Sequence, residues 1–566
     1  MNLSRFILFG FLYTVFVGAT GQNLDAIGQG EALKVTGGIS ANQVFYTADG
    51  INSRRDPYSY FLSGNINLSY LGVNAPFSFA LSNQNRSFQQ PFNQFALHPK
   101  YKWATAHIGY ANMNFSPYTL AGHIFRGAGV ELQPGKFHFS AMAGQLQRAV
   151  GIDTVLNTVP TYERNGFGFK GGYRDGGNFA EVSLFHGEDD ESSLDVLPAD
   201  DSLLPEENLA IGISLGKEFY KRMAIQIEYG ASALTRDTRS EGGNPQEPFS
   251  ALGGLFTTRL STSYYNAYKV NTSYTGEGYS VGAGLERIDP GYRTHGAYYF
   301  NNDLLNYTLN GTVALLDSKL NVSGNAGIQK DNLDRTKVST LKRFVGALNT
   351  SYSASDRLSI TASYSNFQSF TNIRSQFVDI NQLTPFDNLD TLKFTQITQS
   401  INLGGNYSLK ATQQQRQFVF INISLQDAAE RQSQEVQNSG SKFFNVSTSY
   451  SISYIPSNLT LGFSYNMNQN QSALMDLFTH GPTASLNKMM MERKMRLTFS
   501  ASYNTSSLNG EKQNAVINLR GNANYVVDGK HNFGLILMVV NRGTSSETAP
   551  VSFTEYTGTI NYSYSF

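Results

Sequence analysis

The sequence predicts an all-β chain, a single large transmembrane antiparallel up-and-down β-barrel of about 24 strands, with a range of roughly 22–26. Three observations carry this expectation. Apolar and polar residues alternate with period two along almost the whole chain. Short turns rich in Gly, Asp, Asn and Pro alternate with longer polar connections. The composition joins few charged residues (15%) to many aromatic ones (13%), and beyond the N-terminus no apolar run is long enough for a helical span. Such a composition suits a wall with lipid outside and water inside.

The N-terminus comes first in the chain. Residues 1–21 hold one charge, Arg5, then an apolar run over 6–17, then Ala19, Thr20 and Gly21 ahead of Gln22. A charged start, a short apolar core and small residues at the boundary predict a cleavable signal peptide. Residues 22–31 then form a short periplasmic lead, and 32–566 the barrel. The chain has no cysteine, which excludes disulfides and lipid attachment through Cys.

Strands follow from the alternation. Phe167, Phe169, Gly171 and Tyr173 share one face, as do Met223, Ile225, Ile227 and Tyr229. The same holds for Leu358, Ile360, Ala362 and Tyr364, and for Leu459, Leu461, Phe463, Tyr465 and Met467. Short turns are expected at 72–75, 134–136, 175–177, 217–221, 276–278, 317–319, 353–357, 410–413, 456–458, 491–493 and 528–530. These eleven turns separate twelve hairpins. The first strand is placed at 32–46 and the last at 552–566, paired with each other at the seam. An even strand number puts both termini in the periplasm.

Long connections are expected at 86–122, 186–207, 235–255, 289–303 and 367–390. The stretch 86–122 admits two readings: one excursion folded into the lumen, or a further hairpin around 101–112. A barrel this wide leaks unless inward loops or a partner block it.

Cysteine nucleophiles are absent, and the eight histidines match no metal-ligand spacing, so neither an enzyme, a cofactor nor a resident metal is expected. The acidic run Glu188, Asp189, Asp190, Glu191, Asp195, Asp200, Asp201, Glu206 and Glu207 reads first as a solvated loop. Binding of divalent ions, calcium or those bridging lipopolysaccharide, is the alternative. Arg236, Arg239, Glu286, Arg287 and Arg293 are candidate lumen or rim charges. Mixed-sign charge lines porin constrictions, and it equally serves solubility at a rim. With equal numbers of basic and acidic residues (43 each), nothing points to nucleic acid.

The chain ends with Tyr556, Ile560, Tyr562, Tyr564 and Phe566 on one strand face and Thr557, Thr559, Asn561, Ser563 and Ser565 on the other. This stripe resembles the closing strand of bacterial outer-membrane barrels. The resemblance implies an assembly signal in Tyr562, Tyr564 and Phe566, read by the barrel-assembly machinery. Tyr101-Lys-Trp-Ala-Thr-Ala-His107-Ile-Gly-Tyr110, Asn114-Phe-Ser-Pro-Tyr-Thr-Leu-Ala-Gly-His123 and Gly127-Ala-Gly-Val-Glu131-Leu-Gln-Pro-Gly135-Lys136 are similar to large outer-membrane barrels of Bacteroidota. So is Asp289-Pro-Gly-Tyr-Arg-Thr-His-Gly-Ala-Tyr-Tyr-Phe-Asn-Asn-Asp303. That family has no defined activity, so the resemblance implies location and fold alone.

A porin-like channel for a small solute is therefore the first functional expectation, in contact with outer-membrane lipid and lipopolysaccharide. The alternative is a barrel scaffold for partner proteins in a secretion, assembly or surface complex. A plugless relative of the TonB-dependent receptors ranks below both.

Overall fold

The computed structural model describes residues 33–83, 93–152, 160–195, 203–243, 249, 254–337, 342–366, 369–370, 395–430, 441–472, 475–544 and 551–566. The expected signal peptide and lead lie outside these residues, as does most of the expected connection 367–390. Throughout the described residues the backbone forms one antiparallel sheet of 28 segments, in which successive strands of the chain pair all the way round. Two strands are interrupted. Gln94–Leu97 and Lys100–Tyr101 both lie between Val73–Ser82 and Ala104–Asn114, split at His98 and Pro99. Proline has no N–H to give to a ladder, which explains the break. Leu358–Ser365 and Ser369–Phe370 both pair with Thr395–Ala411. Counted as continuous staves, the barrel has 26 strands.

The sheet closes where expected. Lys34–Asp49 pairs with Phe553–Ser565, from Gly38 opposite Ser565 to Asp49 opposite Thr554. Gly37 and Phe566 exchange both backbone hydrogen bonds, each 3.0 Å, at the end of the seam. Closure leaves no row of unpaired backbone groups on either edge.

The count corrects the expected 24 upwards by two, and the difference has a single location. All eleven expected turns join paired strands, and a twelfth joins Lys100–Tyr101 to Ala104–Asn114. It turns on Lys102 (φ 51°) and Trp103, with no Gly, Asn, Asp or Pro to announce it. So 86–122 is not one long excursion; it carries a hairpin, followed by the short connection 115–120.

Period two gives the wall its two faces. Phe533, Leu535 and Leu537 project outward beside Ile560 of the last strand, and all four are exposed. Ile401, Leu403, Ile421 and Leu425 continue this apolar outer face farther round the wall. The residues between them point inward and are mostly Asn, Ser, Thr and Gly. With strands ~4.8 Å apart and tilted ~40°, 26 of them enclose a bore roughly 50 Å across at the backbone. A bore that wide is not filled by wall side chains alone, and the buried core of this protein forms where connections fold into it.

Candidate lumen constriction

Two connections enter the lumen from the end that carries the long connections: residues 115–120 and 289–303. Their position follows from what they touch. On strand Met223–Thr235, Ile227 and Tyr229 are exposed on the outside, so Gly230, Ser232 and Leu234 face in. A Cβ built on Gly230 lies 2.3 Å from Tyr118 Cβ and 2.8 Å from the Tyr292 hydroxyl, so the inward loops lean directly on a side-chain-free patch of wall.

The loops hold each other. The Tyr292 hydroxyl donates to Tyr118 O (2.7 Å), Thr294 Oγ1 donates to Thr119 O (2.8 Å), and Ala121 N donates to Gly296 O (2.8 Å). Tyr118, Tyr292 and Phe300 pack as an aromatic group against Ala267 and Ile288 of the wall. Phe115 and Leu120 join Met113, Phe125, Met142, Leu146 and Phe185 in a second cluster. Aromatic burial of this kind supplies most of the attraction that a loop needs to leave water.

Polar anchors fix the register of the 289–303 loop. Asn208, fully buried on the wall, accepts from His295 N (3.0 Å) and donates to Ser232 Oγ (2.8 Å), whose hydroxyl donates to Arg293 O (2.6 Å). Glu206 receives a forked pair from Arg293 (3.0 and 3.2 Å), Arg164 Nη2 (3.2 Å) and His295 Nε2 (3.2 Å). Arg164 also clamps Asp189 through two bonds of 2.7 and 2.8 Å. Burial pushes the Glu206 carboxyl up, but the His295 bond and the two guanidinium groups outweigh it and hold it down at about 2. His295 Nδ1 lies 3.1 Å from Gly187 O, so both ring nitrogens face acceptors. Both bonds form only on a protonated ring, which burial and the nearby Arg164 oppose by pulling the histidine below its usual range.

Below the loops a row of charges crosses the inner wall. Glu228 is paired across strands with Lys269, and Lys269 with Glu286. Lys170 continues the row and meets Glu181 at 3.1 Å, and Arg174 grips the same carboxylate through two bonds of 3.0 and 2.9 Å. The Tyr118 hydroxyl donates to Glu286 (3.2 Å), which ties the row to the loops.

The sequence-derived charges divide accordingly. Glu286 and Arg293 are part of the constriction. Arg287 sits one residue out of phase and pairs with Asp289 at 3.2 Å. Arg236 donates to the Tyr265 hydroxyl (3.4 Å), and Arg239 pairs with Asp237 (2.9 Å) within their own connection. The acidic run is not simply solvated: Glu188, Asp189 and Asp190 end strand Asn178–Asp190, Glu207 opens strand Glu207–Phe219, and Asp189 and Glu207 are buried. Tyr118, Tyr292 and His295 lie in segments that resemble other large barrels but have no role assigned by sequence, and Asn208 lies outside those segments. The signal for Tyr118 and Tyr292 is a set of aromatic and apolar residues inside connections that would be polar if they met only water, whereas Asn208 on strand Glu207–Phe219 has no such signal.

Tyr562 and Tyr564 of the last strand flank His531, whose Nδ1 lies 2.9 Å from the Tyr562 hydroxyl, and Tyr564 packs on Phe566 with ring centres 5.5 Å apart.

No family model matches the sequence, and no curated protein does. Among solved structures, the FrpB iron transporter from Neisseria meningitidis is 10% identical over 94% of this chain and 81% of its own, with a TM-score of 0.39. The translocation pore of the P pilus usher PapC is 10% identical over 94% and 98%, with a TM-score of 0.36. BauA, the ferric preacinetobactin receptor from Acinetobacter baumannii, is 8% identical over 94% and 80%, with a TM-score of 0.35. At these values the likenesses carry no functional argument, and the barrel stands on its own strand pairing.

Proposed function

We propose that the protein spans the outer membrane of a Gram-negative bacterium as a porin-like channel, narrowed from one side by the loops at 115–120 and 289–303. The observation that carries this reading is the pairing of an apolar outer face with a lumen where anchored loops lie over a row of mixed charge. Membranes admit closed barrels because every backbone group is paired within the wall. Charges of both signs in a narrowed bore set up a transverse field that orients and sorts polar solutes. Glu131, near Lys170 and 3.7 Å from His107, joins Glu181, Glu228 and Glu286 opposite Lys170, Arg174 and Lys269 on this inner surface, so the row favours cations slightly.

The test is ion conductance of the folded mature chain in planar bilayers. Discrete conductance steps with mild cation preference are expected, and Glu228→Gln should shift the reversal potential toward zero. Conductance no greater than the lipid background would overturn the channel reading. Stoichiometric proteins copurifying with a non-conducting barrel would favour the scaffold reading instead.

A further inference from the structure

A cluster on the opposite surface of the wall has no part in the constriction. Glu188 and Glu207 are directly opposed across strands Asn178–Asp190 and Glu207–Phe219, and His186 precedes Glu188 by two residues, so all three project from one face. That face is the outer one. Val182 and Ile213, in phase with them, are exposed (53% and 38%), whereas Asp189, one residue out of phase, turns inward to Arg164.

One donor atom from each of the three residues lies within 4.8 Å of the others. His186 Nε2 is 3.1 Å from Glu207 Oε1, which also accepts weakly from Thr257 N (3.4 Å). The connection around Phe256 roofs this spot by packing on Leu209 and Ala233, leaving Glu207 only 4% exposed. Beneath that roof Glu207 Oε2 is buried and has no hydrogen-bond partner. Two carboxylates opposed across a strand pair repel, and a buried carboxylate oxygen without a donor is strongly disfavoured. Arg259 is near enough to act on Glu188, yet it forms no ion pair with either carboxylate among the described residues, and its own Nε is buried without a partner. The three donors converge on a point that a single cation would satisfy.

We propose that His186, Glu188 and Glu207 bind one divalent first-row transition ion, with zinc as the probe. One imidazole nitrogen and two carboxylates suit such an ion, and the two negative charges neutralise it. Calcium and magnesium take all-oxygen sets of higher number and fit this donor set poorly. Three protein donors, one of them exposed, leave a coordination position open at the barrel's outer surface. Bound there, the ion ties neighbouring strands to the connection roofing them. This inference is independent of the channel reading.

The experiment is equilibrium dialysis of Zn²⁺ against the mature chain folded in detergent, with heat-modifiable gel mobility as the check that each variant remains a folded barrel. One equivalent per chain is expected, with Ca²⁺ and Mg²⁺ failing to displace it. His186→Asn and Glu207→Gln should each weaken binding by about tenfold or more, while Asp195→Asn should leave it unchanged. On the unaltered protein, Co²⁺ in place of Zn²⁺ should give a visible absorption band of low coordination number. The proposal falls if the unaltered protein binds no stoichiometric Zn²⁺, if folded His186→Asn and Glu207→Gln bind as well as the parent, or if Ca²⁺ displaces the ion.

Discussion

Asn208 shows how much one side chain decides. It is fully buried, and its amide oxygen takes the His295 N–H while its amide nitrogen serves Ser232 and the Ala233 carbonyl. Asn208→Ala strands these partners and leaves a small void, at a cost of about 2–3 kcal/mol. A lowered thermal midpoint of barrel unfolding should report it; an unchanged midpoint would show that the anchor contributes little. Asp303 gives a pH-dependent counterpart at the end of the same loop. Burial pushes its carboxyl up, but Lys337 and the backbone N–H groups of Leu333 and Asn332 outweigh that and hold it below the usual range. A depressed carboxyl contributes stability above the unfolded pKa of about 3.9, and that contribution is lost as pH falls. Residues 331–337 should therefore stay protected from hydrogen exchange above about pH 4 and lose protection below it, whereas Asp303→Asn should abolish the dependence.

At the scale of elements, the inward loops depend on wall positions that have no side chain. Gly230 is the clearest, because a methyl group there would overlap Tyr118. Gly230→Ala should displace the 115–120 loop and, with it, the Tyr118 hydroxyl from Glu286. The expected readout is larger single-channel conductance with the barrel intact by gel mobility. Unchanged conductance in a folded variant would mean that the loop does not set the bore. The hairpin at Lys102 and Trp103 makes a separate point. Neither residue favours a turn by itself, so its pairing is imposed by the strands on either side.

Across the whole molecule, closure depends on the seam. Gly37 and Phe566 exchange backbone bonds at its end, and the side chains of Tyr564 and Phe566 pack together. Deleting Phe566 removes both contacts and the terminal aromatic ring that resembles an assembly signal. Yield of heat-modifiable barrel in outer membranes should fall several-fold; normal yield would sink the assertion. The wide bore and the one-sided anchoring also belong to this scale. Loops pack against the wall formed by strands from Ala104–Asn114 to Tyr279–Ile288, so any passage runs beside them.

The sequence by itself determined the wall. Alternation with period two is a local property, legible in Phe167 to Tyr173 or in Tyr556 to Phe566, and it fixes which residues face outward and which face the bore. Turn residues located eleven of the twelve turns at the end opposite the long connections for the same reason, and the missing one lacked them. Only the tertiary structure decided where the long connections go. Asn208 meets His295 across 87 residues, and Tyr118 meets Tyr292 across 174, distances over which no sequence period extends. Glu286 and Arg293 were legible as charges near a rim, but their partners were not. An outer-face triad of His186, Glu188 and Glu207 required strand register as well as spacing, because register alone places Glu207 opposite Glu188.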